Sequence, residues 1–328
     1  MKKSKFITIL IFALKIFFTV CAALWVVLRI NWNSLTSQIP ALNYPLAISG
    51  FLLFTAFVIP SAARWTATAR ACGFNLSYKS SVYNYFVSAF FGAFLPRHGC
   101  DFVRGFLASR QLNVSFGKAM GSVFIERICG FFVALVICLI GLVISINQHP
   151  DLKEIVVPVI IIMCALVIAV ILSFNAWFRI FVTKITSFIR FDALTKFFND
   201  IFMSLDLCKG KPGLIFYAVL MSFLNQLTTI ISAILLAYSI PGFDAPAVSF
   251  FVVTTIVFFT FIIPSIGGYG VTQASTVIVF GLYGTAHHYA AVYSILRLIF
   301  SLMVSLIGGL LFMTGKPFKI KDVLRADK

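Results

Sequence analysis

The chain has 328 residues, of which 61% are hydrophobic and 11% charged, and a formal net charge of +16. A soluble domain carries about 25% charged residues, and several apolar runs here exceed the roughly 20 residues that cross about 30 Å of hydrocarbon. The composition excludes a soluble globular enzyme, and no basic soluble segment exists to bind nucleic acid; it predicts an all-α polytopic membrane protein.

In chain order, the first predicted helix is Phe6–Leu28, preceded by Lys2, Lys3 and Lys5. Lys15 interrupts its apolar run and no small-x-small cleavage site follows, so it reads as a retained helix and not a signal peptide. A second helix spans Pro45 to about Ala69. Arg64 and Trp65 near its end form the pairing common where helices meet the membrane–water interface. Residues 82–112 are interrupted and charged. A third helix runs from about Ala119 to Ile146 and a fourth over Ile155–Phe174. Between 175 and 212, apolar residues recur at helical spacing with Arg179, Lys184, Arg190 and Lys196 off the stripe. That segment predicts one or two amphipathic helices, either lying on an anionic leaflet or packing against the bundle. Leu214–Ile240 is a fifth helix, 247–282 a second interrupted segment, and Ala286 to Met313 a sixth helix ahead of a basic tail. The seven cysteines lie in apolar segments or basic loops and imply no disulfide framework.

The interrupted segments hold the chemistry. The first contains Phe90-Phe-Gly-Ala-Phe-Leu-Pro96-Arg97-His98-Gly99-Cys-Asp101-Phe-Val-Arg104, and the second Phe258-Phe-Thr-Phe-Ile-Ile-Pro264-Ser-Ile-Gly267-Gly268-Tyr-Gly270. Phe90, Phe91, Pro96 and Gly99 align without a gap on Phe258, Phe259, Pro264 and Gly267. Their arms are short for a full span, which predicts re-entrant hairpins broken at Pro96 and Pro264. With the N-terminus inside and both hairpins returning to their side of entry, nearly all basic residues fall inside and only Arg29 and Lys153 outside, as the positive-inside rule requires.

The expected architecture is therefore six full transmembrane helices plus two re-entrant helical hairpins in an inverted repeat, with both termini inside. Residues 1–44 supply the first helix and outer loop, 45–146 repeat one with hairpin 82–112, and 147–212 a connecting helix and the amphipathic segment. Repeat two is 213–315 with hairpin 247–282, and 316–328 is the basic tail. Arg127 matches Arg297 between the repeats, and Leu-Ile-Gly141 matches Leu-Ile-Gly-Gly309.

Helix N-termini at the hairpin tips favour an anion, because their backbone N–H groups lack partners. Arg97, Gly99, Asp101 and Arg104 on one tip, Gly267, Gly268, Gly270 and Gln273 on the other, and Glu126, Arg127 and Arg297 on the long helices are the predicted substrate-binding residues. Asp101 is suited to cap the helix after Gly99, and a plainer role is to neutralise Arg104 one turn on. Glu126 and Arg127 are adjacent and so face different partners. Arg127 lies about 12 Å into its helix at about 1.5 Å per residue, a depth at which a charge needs company. Expected pairs are Glu126 with Arg297 or Arg104, and Arg127 with Asp101. His287 and His288 supply too few ligands for a metal, and no cofactor motif appears.

The pattern Leu95-Pro96-x-x-Gly99-x-Asp101-x-x-Arg104, then Glu126-Arg127, then Pro264-x-x-Gly267-Gly268-x-Gly270, with Arg64-Trp65 and Arg297, resembles the lysylphosphatidylglycerol synthase transmembrane region, or flippase-like, family. The resemblance implies a multi-pass plasma (inner) membrane protein of a bacterium or archaeon, related to the flippase half of the multiple-peptide-resistance factors. Family members usually carry Glu where this chain has Gln273. The soluble aminoacyl-transfer domain does not follow Met313, so synthesis of lysyl-lipid is not expected. The leading expectation is a flippase moving a phospholipid or lipid-linked envelope precursor between leaflets, with membrane lipids and envelope-synthesis enzymes as partners. The rivals are an integral-membrane enzyme on a lipid phosphate, using Asp101, Glu126 and His98 as acid–base groups, and a non-transporting partner of an envelope-synthesis complex.

Overall fold

The structure, a computed structural model, describes residues 40–95, 99–188, 192–260, 263 and 265–314. The predicted first helix, Pro96, Arg97, His98, Pro264 and the basic tail lie outside the described residues. In chain order the helices are α1 (Tyr44–Ala56), α2 (Val58–Ala71), α3 (Tyr78–Gly92), α4 (Gly99–Leu112) and α5 (Phe116–Ser145), then a 3-10 turn at Pro150–Leu152. They continue with α6 (Lys153–Phe174), α7 (Ala176–Phe188), α8 (Asp192–Lys209), α9 (Pro212–Tyr238), α10 (Ser249–Phe259), α11 (Val271–Leu282) and α12 (His287–Thr314). Among the described residues, 5 stretches are long and apolar enough to cross a membrane: α1 with α2, α5, the 3-10 turn with α6, α9, and α12. They coincide with the second to sixth helices read from the sequence.

Local chemistry sets several boundaries. Asn43 and Pro45 start α1, with Asn43 Oδ1 accepting from the Leu46 amide at 3.3 Å. Ser77 and Ser115 cap α3 and α5 by accepting from the amides of Ser80 and Lys118. The second predicted helix is not continuous. It breaks at Phe57 because Pro60 has no N–H for the carbonyl four residues back, and its ring crowds that oxygen. Asn225 of α9 fills the break, its Nδ2 donating to the Phe57 carbonyl at 3.1 Å and to Ser61 Oγ at 2.6 Å.

A second correction concerns Arg64 and Trp65. Both are buried, Trp65 completely, so they do not mark a membrane interface. Helices α3, α5 and α9 wall off this part of α2, and Trp65 Nε1 donates to Ser122 Oγ at 3.1 Å. The amphipathic segment forms two helices that differ in packing. Helix α8 packs on α5 and buries Phe202, Leu205 and Cys208, with Gly121 admitting Ser204. Helix α7 leaves Trp177, Ile180, Phe181 and Ile185 exposed, and is tied to α8 by the paired Arg179–Asp206 contacts at 2.6 and 3.1 Å.

Helices α3 and α4 lie side by side, as do α10 and α11, so each interrupted segment folds back on itself. The first arm of each pair packs on the long helix of the other half, α3 on α12 and α10 on α5. Glycine makes both seams possible. A Cβ on Gly308 would collide with the Phe86 carbonyl, and one on Gly141 would stand 2.7 Å from Phe251 Cβ. These glycines belong to the two Leu-Ile-Gly stretches matched in the sequence, one in each seam. Hydroxyls reinforce them: Ser305 Oγ donates to the Ala89 carbonyl at 3.2 Å and Thr255 Oγ1 to that of Ala134 at 3.0 Å.

The seam is testable by overpacking, which typically costs about 1–3 kcal/mol and more when backbone stands in the way. Gly308→Leu should lower the thermal midpoint of the purified protein, whereas Gly213→Ala, with nothing within 4 Å, should leave it near wild type. Equal midpoints for the two variants would contradict the α3–α12 contact.

Candidate substrate cavity between the two hairpins

A chain of buried charges runs across α2, α4 and α5. Glu126 is 0% exposed. Its Oε1 accepts from Arg64 Nη2 at 2.6 Å and Nε at 3.0 Å, and also from the Tyr85 hydroxyl. Its other oxygen lies 2.7 Å from Arg104 Nη2, a charge contact without hydrogen-bond alignment. Arg104 is sandwiched between Trp65 and Tyr85, 4.8 and 4.3 Å from the ring centroids, where the aromatic faces attract the cation. Asp101 accepts from Arg127 Nη2 at 2.6 Å and Nε at 3.0 Å, and from Arg104 at 3.2 Å. Adjacent Glu126 and Arg127 therefore do serve different partners. Two of the expected pairs form, Glu126–Arg104 and Asp101–Arg127, and a third, Glu126–Arg64, was not expected. Glu126 does not meet Arg297. Instead Arg297 stands over the Phe54 ring at 5.3 Å, with Nη1 3.4 Å from the Tyr293 hydroxyl.

The hairpin tips touch. The Gly267 amide donates to the Leu95 carbonyl at 3.0 Å, joining the end of the first hairpin's leading arm to the second tip. Gly267, Gly268 and Gly270 have φ of 59°, 78° and 75°, values that side-chain-bearing residues rarely adopt. The expectation that the second tip offers bare amides needs correcting for Gly267, Tyr269 and Gly270. Gly267 N bonds to Leu95, Tyr269 N to the Ile266 carbonyl at 3.0 Å, and Gly270 N to Gln273 Oε1 at 2.8 Å. That last contact makes Gln273 the cap of α11, so the tip is held together by its own donors.

Beside the tips lies a cavity of about 400 Å³. Both halves of the chain line it: α1, α2, α3 and α5 from the first, and α9, α10, the second tip, α11 and α12 from the second. Of the residues picked out in the sequence, Arg127, Gly267, Gly268, Gln273 and Arg297 line it. Gly99, Asp101, Arg104, Glu126 and Gly270 do not; the acids and Arg104 stand behind the wall and fix its arginines. Sequence reading missed Arg64, Tyr85, Asn225, Gln226 and Thr254, which also line it. A signal was present, since Asn225-Gln226 interrupts an otherwise apolar span and buried amides need partners. Among the described lining residues the charged ones are Arg64, Arg127 and Arg297, with no carboxylate, cysteine or histidine.

Removing one partner of a buried ion pair typically costs about 3–5 kcal/mol, because the other charge is left unpaired. Glu126→Gln should therefore reduce the folded yield and the thermal midpoint sharply, more than Arg297→Gln, which breaks no ion pair among the described residues. Melting curves of the two variants in the same detergent check this; a wild-type profile for Glu126→Gln would reject the network as a structural support.

Comparison with curated proteins and with solved structures gives no match for this chain. Residues 10–309 match the family described as the lysylphosphatidylglycerol synthase TM region. The match runs through the arginines of the cavity wall, the carboxylates behind them and the glycine tip, and spans most of the 328 residues. The chain is thus a multi-pass membrane protein that belongs to the lysylphosphatidylglycerol synthase TM region family.

Proposed function

We propose that this protein translocates a lipid between membrane leaflets, with the headgroup held in the cavity beside the hairpin tips. The observation that carries this reading is the cavity wall itself: arginines from both halves of the chain, Arg64 and Arg127 from one and Arg297 from the other, converge on one space. A headgroup cannot cross hydrocarbon bare, because it would lose its hydration. Polar groups on the wall of a cavity within an apolar bundle would replace that water. Along the α5–α9 seam runs an apolar groove lined by Phe132, Val136, Ile140, Phe216, Leu220 and Phe223. Gly130 and Ser222 line the cavity, one or two residues from Phe132 and Phe223 of the groove, so the same helices serve a polar and an apolar compartment. That pairing suits an amphiphile better than a soluble anion.

In this reading α3–α4 and α10–α11 are re-entrant hairpins entering from opposite faces, the repeats are inverted, and six helices span the bilayer with both termini inside. The arms support it: α3 is 15 residues and α10 is 11, about 22 and 16 Å at about 1.5 Å per residue, short of the roughly 30 Å core. The reciprocal seams, α3 on α12 and α10 on α5, are what an internal two-fold relation would produce. Access to the cavity from either leaflet would then alternate as groups of packed helices shift around it. An enzyme acting on the lipid phosphate is less well supported, since Asp101 and Glu126 are held in ion pairs and the described cavity wall carries neither a carboxylate nor an imidazole.

Topology is checked by single cysteines at 113–117 and 283–286 in a cysteine-free background. Labelling of 113–117 only from the inside and of 283–286 only from the outside is expected; reaction of 113–117 with an external impermeant reagent would rule out the first hairpin. Function is checked in proteoliposomes with acyl-labelled fluorescent phosphatidylglycerol. Wild type should move it across the bilayer, and Gly267→Val should slow this roughly tenfold or more, since its Cβ would meet Tyr269 and the Ala93 carbonyl at a strained φ. Movement by Gly267→Val at the wild-type rate would refute a site at the tips.

A further inference from the structure

We propose that α7 is a membrane-surface anchor, its uncovered face seated among the headgroups of the leaflet at which α6 ends and its partner an anionic phospholipid. This surface is distinct from the cavity and does not depend on the translocation reading. Two observations carry it, the inverted amphipathicity of the helix and the place of one lysine on it.

Helix α7 turns polar groups toward the protein and apolar ones away from it. Arg179 donates through Nε to the Ser173 carbonyl at 2.8 Å and pairs with Asp206 of α8, and Thr186 is buried. The opposite side carries Trp177, Ile180, Phe181 and Ile185, three and four residues apart on one face, with Trp177 83% exposed. Water-facing surfaces rarely gather four large apolar side chains on one helix face. The helix follows α6 with only Asn175 between them, whose side chain caps α7 by accepting from the Trp177 amide at 2.8 Å. Along α6 only Val159 and Ser173 are buried, and Ile168, Ile171 and Leu172 stand exposed near its end. The apolar surface of α7 thus follows directly on that of a membrane span. Its 13 residues make about 20 Å at about 1.5 Å per residue, too short to cross the roughly 30 Å core. An exposed Trp in its first turn suits the interfacial layer.

Lys184 decides what covers this face. It falls within the stripe, one turn from Ile180 and Phe181, and is exposed. The ion pairs of α7 and α8 among the described residues, Arg179–Asp206 and Lys209–Asp206, leave it out. Pressed against an apolar protein face, a second copy's included, that ammonium would be an unpaired charge. At a bilayer surface its aliphatic stem lies along the acyl chains while the ammonium reaches the phosphates. Helix α7 contains no acidic residue, so nothing on it repels an anionic headgroup, which Lys184 attracts. The anchor also bears on the buried network. Helix α8, to which Arg179 ties α7, seats on α5 where Gly117 and Gly121 admit Asp200 and Ser204. Because α5 carries Glu126 and Arg127, seating α7 in the leaflet fixes the depth of the helix that holds those charges.

The test places the full chain in vesicles of phosphatidylcholine and phosphatidylglycerol, with bromine, a contact quencher of tryptophan, carried on the acyl chains of one lipid at a time. Subtracting the signal of Trp177→Phe isolates Trp177 from the other three tryptophans. Bromine high on the chain should quench Trp177 more than bromine near the chain end. Phosphatidylglycerol should quench more than phosphatidylcholine at equal bromine content. Lys184→Gln should cut that preference by up to about fivefold, the scale of one basic residue at an anionic surface. High salt should cut it in wild type, which tests the charge without a variant. Both substitutions fall at exposed positions, so melting curves in detergent should stay near wild type. Quenching of Trp177 by aqueous iodide but not by lipid bromine would put the face in water. Protection from both would put a protein on it, and strongest quenching by deep bromine would put α7 in the hydrocarbon. Each of these results overturns the proposal, as do equal quenching by the two lipids in wild type and a preference that Lys184→Gln leaves unchanged.

Discussion

Everything around the cavity depends on the burial of one carboxylate. Glu126 has no exposed surface, and an isolated carboxylate so placed would cost far more than folding can supply. It is tolerated because Arg64, Arg104 and Tyr85 converge on it from three other helices. The requirement runs both ways. Arg104 needs Glu126 and Asp101 as much as they need it, and Asp101 in turn fixes Arg127. One buried charge thus dictates the positions of α2, α3, α4 and α5, and what it leaves facing the cavity is the outer side of two guanidinium groups.

Ion pairs of this kind are weak evidence for stability as such, because hydrophobic replacements often do as well. Their value is directional. Each arginine is fixed by a paired contact that leaves little freedom of angle, so the cavity wall keeps its shape before a ligand arrives. Preorganised charge of that sort binds an anion without the entropic cost of arranging flexible side chains around it. Helix α12 contributes differently, since Arg297 rests on Phe54 and Tyr293 with no acidic anchor among the described residues.

Much of this could be read from residues alone, and the reason is the solvent. In an apolar bundle a charge or a Pro-Gly break stands out, so Asp101, Arg104, Glu126, Arg127, Arg297 and the glycine tip were all recognisable, and two of the partner assignments follow from one-turn and cross-helix reach. The span boundaries were also legible, because hydrophobic length is fixed by the membrane. What escaped was anything set by long-range packing. Arg64 and Trp65 sit at the end of an apolar run, where an interface residue and a buried one have the same local sequence; only the walls built by α3, α5 and α9 separate the two. Asn225 and Gln226 were passed over for a similar reason, since their partners lie on α2 and α10. The amides of Gly267 and Gly270 looked available because their acceptors, Leu95 and Gln273, depend on the meeting of the tips and the turn of α11.

The glycine seams determine where such a protein can bend. Because α3 is seated on α12 through Gly308, and α10 on α5 through Gly141, each hairpin is mechanically coupled to the half it does not belong to in sequence. Dividing the molecule at the repeat boundary would tear both seams. The packed pieces are instead composite, α3 with α12 and α10 with α5, while the break in α1–α2 at Phe57, next to Pro60, borders the cavity. A kinked helix bordering a cavity is a natural place to absorb a few degrees of tilt without parting a packed surface.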